Sequence, residues 1–152
     1  MLSVFKIKFY KSSFDLNDDY DRLSDIDKEK ISDMDAFAFF DFEEDDKYAF
    51  IIIVSPLELQ KYVDILNDNL IPFKLNDISK KVLNGDIDLE KEISGYINSI
   101  NKLRYSFFLD DLNEWIYDHL DIDIVLDRIS KVGFENLTTV EKEFLSNYNS
   151  TN

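Results

Sequence analysis

Residues 36–54, AFAFFDFEEDDKYAFIIIV, constrain the fold of this chain more than any other stretch. Two apolar runs flank the acidic tetrad Glu43, Glu44, Asp45 and Asp46. Both runs are rich in aromatic and β-branched residues and are about strand length, so the segment reads as a β-hairpin. Neither run alternates cleanly. Phe37 and Phe39 oppose Ala38, Phe40 and Phe42, while Ile51 and Ile53 oppose Phe50, Ile52 and Val54. Strands that are apolar on both faces are covered on both faces. The hairpin is therefore expected at the centre of a sheet, with something packed on each side.

The flanking segments extend this picture. Leu2 to Tyr10 reads as a strand, with Phe5, Ile7 and Phe9 on one face and Val4, Lys6, Lys8 and Tyr10 on the other. Its cleaner alternation implies a more exposed place in the sheet. Residues 15–34 carry a weak helical stripe of Leu16, Tyr20, Leu23, Ile26, Ile31 and Met34 beneath an Asp-rich face. Ser55-Pro56-Leu57-Glu58 joins an N-cap serine, a first-turn proline and a capping-box glutamate. Leu59, Tyr62, Val63, Leu66 and Leu70 continue that helix, and Ile71 to Leu75 is a short strand whose Pro72 suits a sheet edge. The order strand, helix, strand, strand, helix, strand predicts an α+β fold of ferredoxin-like, split βαβ type over residues 1–76.

Residues 77–152 read as all helical. Residues 78–83 form a short helix stopped by Asn84-Gly85. Asp88 can cap a helix carrying Leu89, Ile93, Tyr96, Ile97, Ile100 and Leu103, and a second run carries Phe108, Leu109, Leu112, Trp115, Ile116 and Leu120. Asp121 or Asp123 can cap the next helix, which ends at Gly133. Thr138-Thr139-Val140-Glu141 is another capping box, with Leu137 as its staple and Phe144, Leu145 and Tyr148 on the buried side. This half is expected to pack on the free face of the sheet, as an extension or as part of one compact domain. A second copy of the chain is the alternative cover.

The last thirty residues carry Leu126-Asp127-Arg128-Ile129-Ser130-Lys131, Gly133, Leu137-Thr138 and Glu141-Lys142-Glu143-Phe144-Leu145. This stretch resembles the short helical tail that follows the membrane domain of some bacterial rhomboid proteases. The resemblance covers about a fifth of the chain and implies a helical hairpin that docks on something. The membrane helices and the serine-histidine dyad of those proteases have no counterpart here, so it implies no proteolysis. A glycine C-cap followed by a threonine N-cap also makes such a hairpin without any kinship.

Seventeen basic residues face thirty-two acidic ones, a net charge of −15. Such a surface repels nucleic acid and anionic membranes and attracts basic partners. From Asp15 to Asp46 there are fourteen acids against Arg22, Lys28 and Lys30. With 45% hydrophobic residues the chain has ample core material, so it is expected to fold rather than to form a disordered acidic tail. Cysteine is absent, which excludes disulfides and thiolate zinc sites. No signal-peptide pattern or membrane-length apolar run stands out, so a cytoplasmic protein is expected.

The sequence holds little catalytic chemistry. His119 is the only histidine and reads as a satisfied side chain near a helix end. Asp15, Asn17, Asp19 and Asp21 imitate a calcium loop, yet Tyr20 replaces the required glycine and Ile26 the final glutamate. Asp86, Asp88, Glu90 and Glu92 fail in the same way. Asp41 interrupts an apolar strand face and is read as a strand-end residue near solvent. Three glycines leave no phosphate-cradling loop. No cofactor and no enzymatic activity are expected. The expected function is a non-enzymatic acidic module that engages a basic protein, as an inhibitor, an immunity-like protein or a DNA mimic does. Its contact residues would be Asp18, Asp19, Asp21, Asp25, Glu43, Glu44, Asp45 and Asp46. The alternative is an adaptor subunit gripping a partner through Trp115, Phe144 and Tyr148. A metal-dependent enzyme using Asp41 comes third.

Overall fold

The computed structural model describes residues 1–33, 36–41, 47–94 and 102–151, with side chains at 1–12, 15–33, 48–91 and 102–149. These residues form an α+β fold: a four-stranded antiparallel sheet with helices on both faces and a helical C-terminal half. Strands β1 (Ser3–Phe9), β2 (Ala36–Asp41), β3 (Lys47–Val54) and β4 (Phe73–Asp77) lie in the order β2-β3-β1-β4. The hairpin register runs from Ala36 opposite Ile52 to Asp41 opposite Lys47. β1 pairs with β3 from Ser3 opposite Val54 to Lys8 opposite Ala49, and with β4 from Phe5 opposite Asp77 to Phe9 opposite Phe73.

The helices explain why β3 is apolar on both faces. Helices α1 (Ser13–Asp21), α2 (Asp25–Ser32) and α3 (Pro56–Asp68) cover one side. There Phe5, Ile7, Phe9 and Ile52 meet Leu23, Leu59, Tyr62, Ile65 and Leu66, with Leu16 and Ile31 at the margin. Short helices α4 (Ser79–Leu83) and α5 (Leu89–Ser94) and the long α6 (Lys102–His119) cover the other. On that side Val4, Ala49 and Ile51 are sealed by Ile78, Val82, Leu89, Phe108, Leu112 and Trp115. Each large aliphatic side chain buried in this way contributes roughly 1.5–3 kcal/mol. Helices α7 (Ile122–Val132) and α8 (Thr139–Thr151), joined by a 3-10 turn at Phe134–Asn136, form a third cluster around Leu120, Val125 and Leu137.

Three expectations change. β1 is an interior strand, not an exposed one: Val4 is fully buried, and Lys6 and Lys8 are half-buried. Lysine stems can lie along apolar surface while the ammonium reaches outward, so polar alternation did not mean exposure. Within the hairpin, β3 is interior and β2 lies at the sheet edge. The weak helix over 15–34 is two helices broken at residues 22–24, where Ser24 accepts a hydrogen bond from the Asp27 backbone N–H at 3.1 Å. In consequence Ile26 faces solvent rather than the core.

Helix α3 starts as expected, with Ser55 Oγ accepting from the Glu58 N–H at 3.2 Å. Its far end is unusual. The Ile71 N–H bonds Leu66 O at 2.9 Å and the Leu70 N–H bonds Asn67 O at 3.1 Å, closing a Schellman-type end. This places Leu70 at φ 56°, a left-handed position that glycine normally fills, with its side chain 87% exposed. The expected helix over 88–103 is α5 up to Ser94, and α6 begins at Lys102; positions 95–101, including Tyr96, Ile97 and Ile100, lie outside the described residues.

Candidate functional site

Helices α1 and α2 owe their existence to caps rather than to apolar stripes. Ser12 and Ser24 cap them, and Asp15, Asp25 and Asp27 sit in their first turns, where the helix dipole favours negative charge. Leu16 and Leu23 turn inward, and no residue of α2 is fully buried. Many of the remaining described positions face solvent, and acids are the commonest residue type among them. Asp15, Asp18, Asp21 and Asp25 are all exposed. Among the described residues no cation is paired with the carboxylates of Asp18, Asp21 or Asp25, although Lys28 Nζ donates to the Asp21 backbone carbonyl at 3.4 Å.

Asp19 does not belong to this exposed set. Only 4% of it is accessible, and both nearby cations are turned to it. Lys11 Nζ lies 2.8 Å from Oδ2, and the Arg22 guanidinium bonds Oδ1. Burial alone would raise its pKa. The hydrogen bonds and charges of Lys11 and Arg22 outweigh that, holding the carboxyl below the usual aspartate value. Asp19 therefore anchors α1 to the end of β1. By occupying Lys11 and Arg22 it also leaves the outward aspartates unneutralised. The calcium-like spacing of Asp15, Asn17, Asp19 and Asp21 falls on this helix, where residues two apart do not face each other.

Glu43, Glu44, Asp45 and Asp46 lie outside the described residues, as does the side chain of Asp41. The described residues contain no group of three carboxylates or histidines placed to hold a metal ion. An apolar crevice of about 140 Å³ lies between α1 and the sheet, lined by Phe9, Leu16, Tyr20, Phe50 and Tyr62. Burial pushes the Tyr62 phenol well above its ordinary pKa.

On the opposite layer Trp115 is a core anchor, 4% exposed, whose indole N–H donates to Leu2 O at 2.9 Å. His119 stacks on it with ring centres 4.4 Å apart. The His119 Nδ1 lies 2.8 Å from the Trp115 carbonyl, which can only accept, so Nδ1 carries the proton. Phe144 is half-buried between Tyr117 and Tyr148, and Tyr148 is exposed at the rim. Three acids that sequence reading passed over, Asp111, Glu114 and Asp118, border a cleft above Trp115. Their spacing along α6, beside Phe108, Leu112 and Trp115, was the signal that could have found them.

Comparison with protein-family models, with curated proteins and with solved structures gives no match. Among the described residues no helix is long and apolar enough to cross a membrane.

Proposed function

We propose that the protein is a non-enzymatic binding module that engages a basic protein surface through the acidic face of α1 and α2. An inhibitor, an immunity-like protein and a DNA mimic are the forms this reading takes. The observation that carries it is the arrangement around Asp19. Lys11 and Arg22 are engaged by the buried Asp19, while the carboxylates of Asp18, Asp21 and Asp25 face solvent with no ion pair among the described residues. Exposed charge of one sign speeds encounter with an opposite surface and rejects like-charged ones. Glu43 to Asp46 belong to the same acidic segment of sequence and are included in the proposed contact.

The scaffold under this reading is ferredoxin-like. The order β2-β3-β1-β4, antiparallel throughout, supports it, as do connections through α1–α2 and through α3 over one face. The core shared by Val4, Ile51, Phe108 and Trp115 favours residues 1–76 and 77–152 as parts of one compact domain. The test is a tagged pull-down from the source cell, washed at low and then high salt, with bound proteins identified by mass spectrometry. A basic partner released by salt, and lost when Asp18, Asp21 and Asp25 are changed to lysine, is the expected result. Capture that ignores both salt and the reversal would sink the reading.

An adaptor role for the C-terminal helices is the second reading, favoured by the exposure of Leu126, Phe134 and Tyr148 on the α7–α8 hairpin. In that version the partner survives high salt and is lost on Phe134→Ser. Trp115 would then support the surface from within the core, while Phe144 and Tyr148 would stand at its edge.

A further inference from the structure

A cleft of about 460 Å³ lies beside α6, next to the start of β1 and the end of β3. Leu2, Ile53, Phe108 and Trp115 give it an apolar floor and wall, and Glu114 and Asp118 stand on its rim. The pattern follows from helix geometry. Positions 108 and 115 fall two turns apart and point into the core, while 114 and 118 flank that row one turn apart. Leu2 is half exposed, and Glu114 and Asp118 are exposed, so the cleft can be reached from solvent. Asp111 adds a third acid to the rim; Met1 with its amino group also lines the cleft, and no lysine or arginine is among the described residues that do. His119 also lines the cleft, its Nδ1 held by the Trp115 carbonyl at 2.8 Å.

We propose that this cleft seats a short basic segment of a partner protein, with one apolar side chain over Trp115 and Phe108 and flanking lysines or arginines on Glu114 and Asp118. Charge complementarity chooses the occupant: an acidic rim rejects an acidic or purely apolar segment, and an apolar floor gives a purely basic one nothing to bury. The proposal rests on reading the protein as an acidic binding module. It assigns the anchoring contact to the α6 layer, on the side of the sheet opposite α1 and α2.

Trp115 is the sole tryptophan, so its emission reports on the cleft directly. Two capped peptides are titrated into the full chain at about 0.15 M salt, where exposed charges are screened beyond about 8 Å. One carries a leucine between two lysine pairs, and the other has serine in its place. A saturable emission change with the leucine peptide is expected, with the serine peptide roughly tenfold weaker because its apolar anchor is gone. Glu114→Lys with Asp118→Lys should weaken the leucine peptide by about tenfold or more, and Asp21→Lys with Asp25→Lys by less than about threefold. Unchanged circular dichroism shows that both double variants fold. Equal binding of the two peptides, equal loss in the two double variants, or no emission change would overturn the proposal. Loss confined to the Asp21/Asp25 pair would overturn it too, while leaving the α1–α2 reading intact.

Discussion

Two helix pairs, α1–α2 and α7–α8, are held by different physics. The second pair has its own buried cluster, with Val125 and Leu137 inside and Ile129, Val140 and Phe144 around them. Between its helices lies one inward ion pair, while Asp123, Asp127, Lys131 and Glu143 stay exposed. The Arg128 Nε donates to Glu141 Oε2 at 3.1 Å, and the Thr138 N–H donates to Oε1 at 3.0 Å. The Arg128 guanidinium also lies so close to Gly85 that a Cβ there would collide with it. The first pair has few inward side chains and is tied down by Asp19, whose partners Lys11 and Arg22 keep 34% and 72% of their side-chain surface exposed. One pair is built as core; the other is a charged surface pinned at a few points. The acidic face that we propose for a partner lies on the second kind of support.

The largest expected difference comes from deleting the two anchoring carboxylates. Glu141→Ala leaves the Arg128 charge buried and uncompensated, and should cost about 3–5 kcal/mol in urea unfolding. Asp19→Ala releases cations that can turn to water, and should cost less than about 1 kcal/mol. Equal losses would erase the contrast. A smaller effect is expected at the hinge of the C-terminal pair. Gly133 holds φ 82° and ψ 154°, a region essentially reserved for glycine. With no neighbour within 4 Å of an added Cβ, Gly133→Ala should cost about 1–3 kcal/mol through the backbone alone. A melting temperature matching the wild type would refute that strain.

The smallest effect is a pH dependence. Asp19 has a folded pKa below the unfolded value of 3.8, so its contribution is fully present above that value. It is lost as the pH falls through the folded pKa. Asp19→Asn should therefore narrow its stability gap to wild type as acid is added below about pH 4. A gap that stays constant down to the acid transition would remove the ion pairs from the account of α1.

Much of this was legible in local chemistry. The Ser55-Pro56-Glu58 start of α3, the Thr138-Glu141 capping box and the Gly133 stop depend on neighbours in sequence, and all three form. The hydrogen bond from the Glu141 N–H to Thr138 Oγ1, 3.2 Å long, completes the reciprocal box. What depends on distant residues was not legible. Lys6 and Lys8 gave β1 the look of an exposed strand, because nothing local announces that a helix a hundred residues later will cover it. Asp18, Asp21 and Asp25 are exposed as read, whereas Asp19 carries the same residue type on the same helix and is buried. Lys11, returning from the end of β1, and Arg22 converge on Asp19 and on none of its neighbours' carboxylates. The acids of α6 read as an ordinary solvated face until Leu2 and Ile53 are brought beside them.

The central place of β1 also bears on how the chain comes to be folded. β1 precedes in sequence both strands that it pairs with, β3 and β4, whose registers end at Val54 and Asp77, and its Val4 N–H bonds the Ser79 hydroxyl at 2.9 Å. Its apolar face of Phe5, Ile7 and Phe9 therefore waits during synthesis for partners far along the chain, and the Leu2 carbonyl waits still longer for the Trp115 indole. Pairings so remote in sequence make closure slow and leave an unpaired, adhesive strand in the meantime. The early nascent chain, rather than the finished protein, is the form most exposed to aggregation.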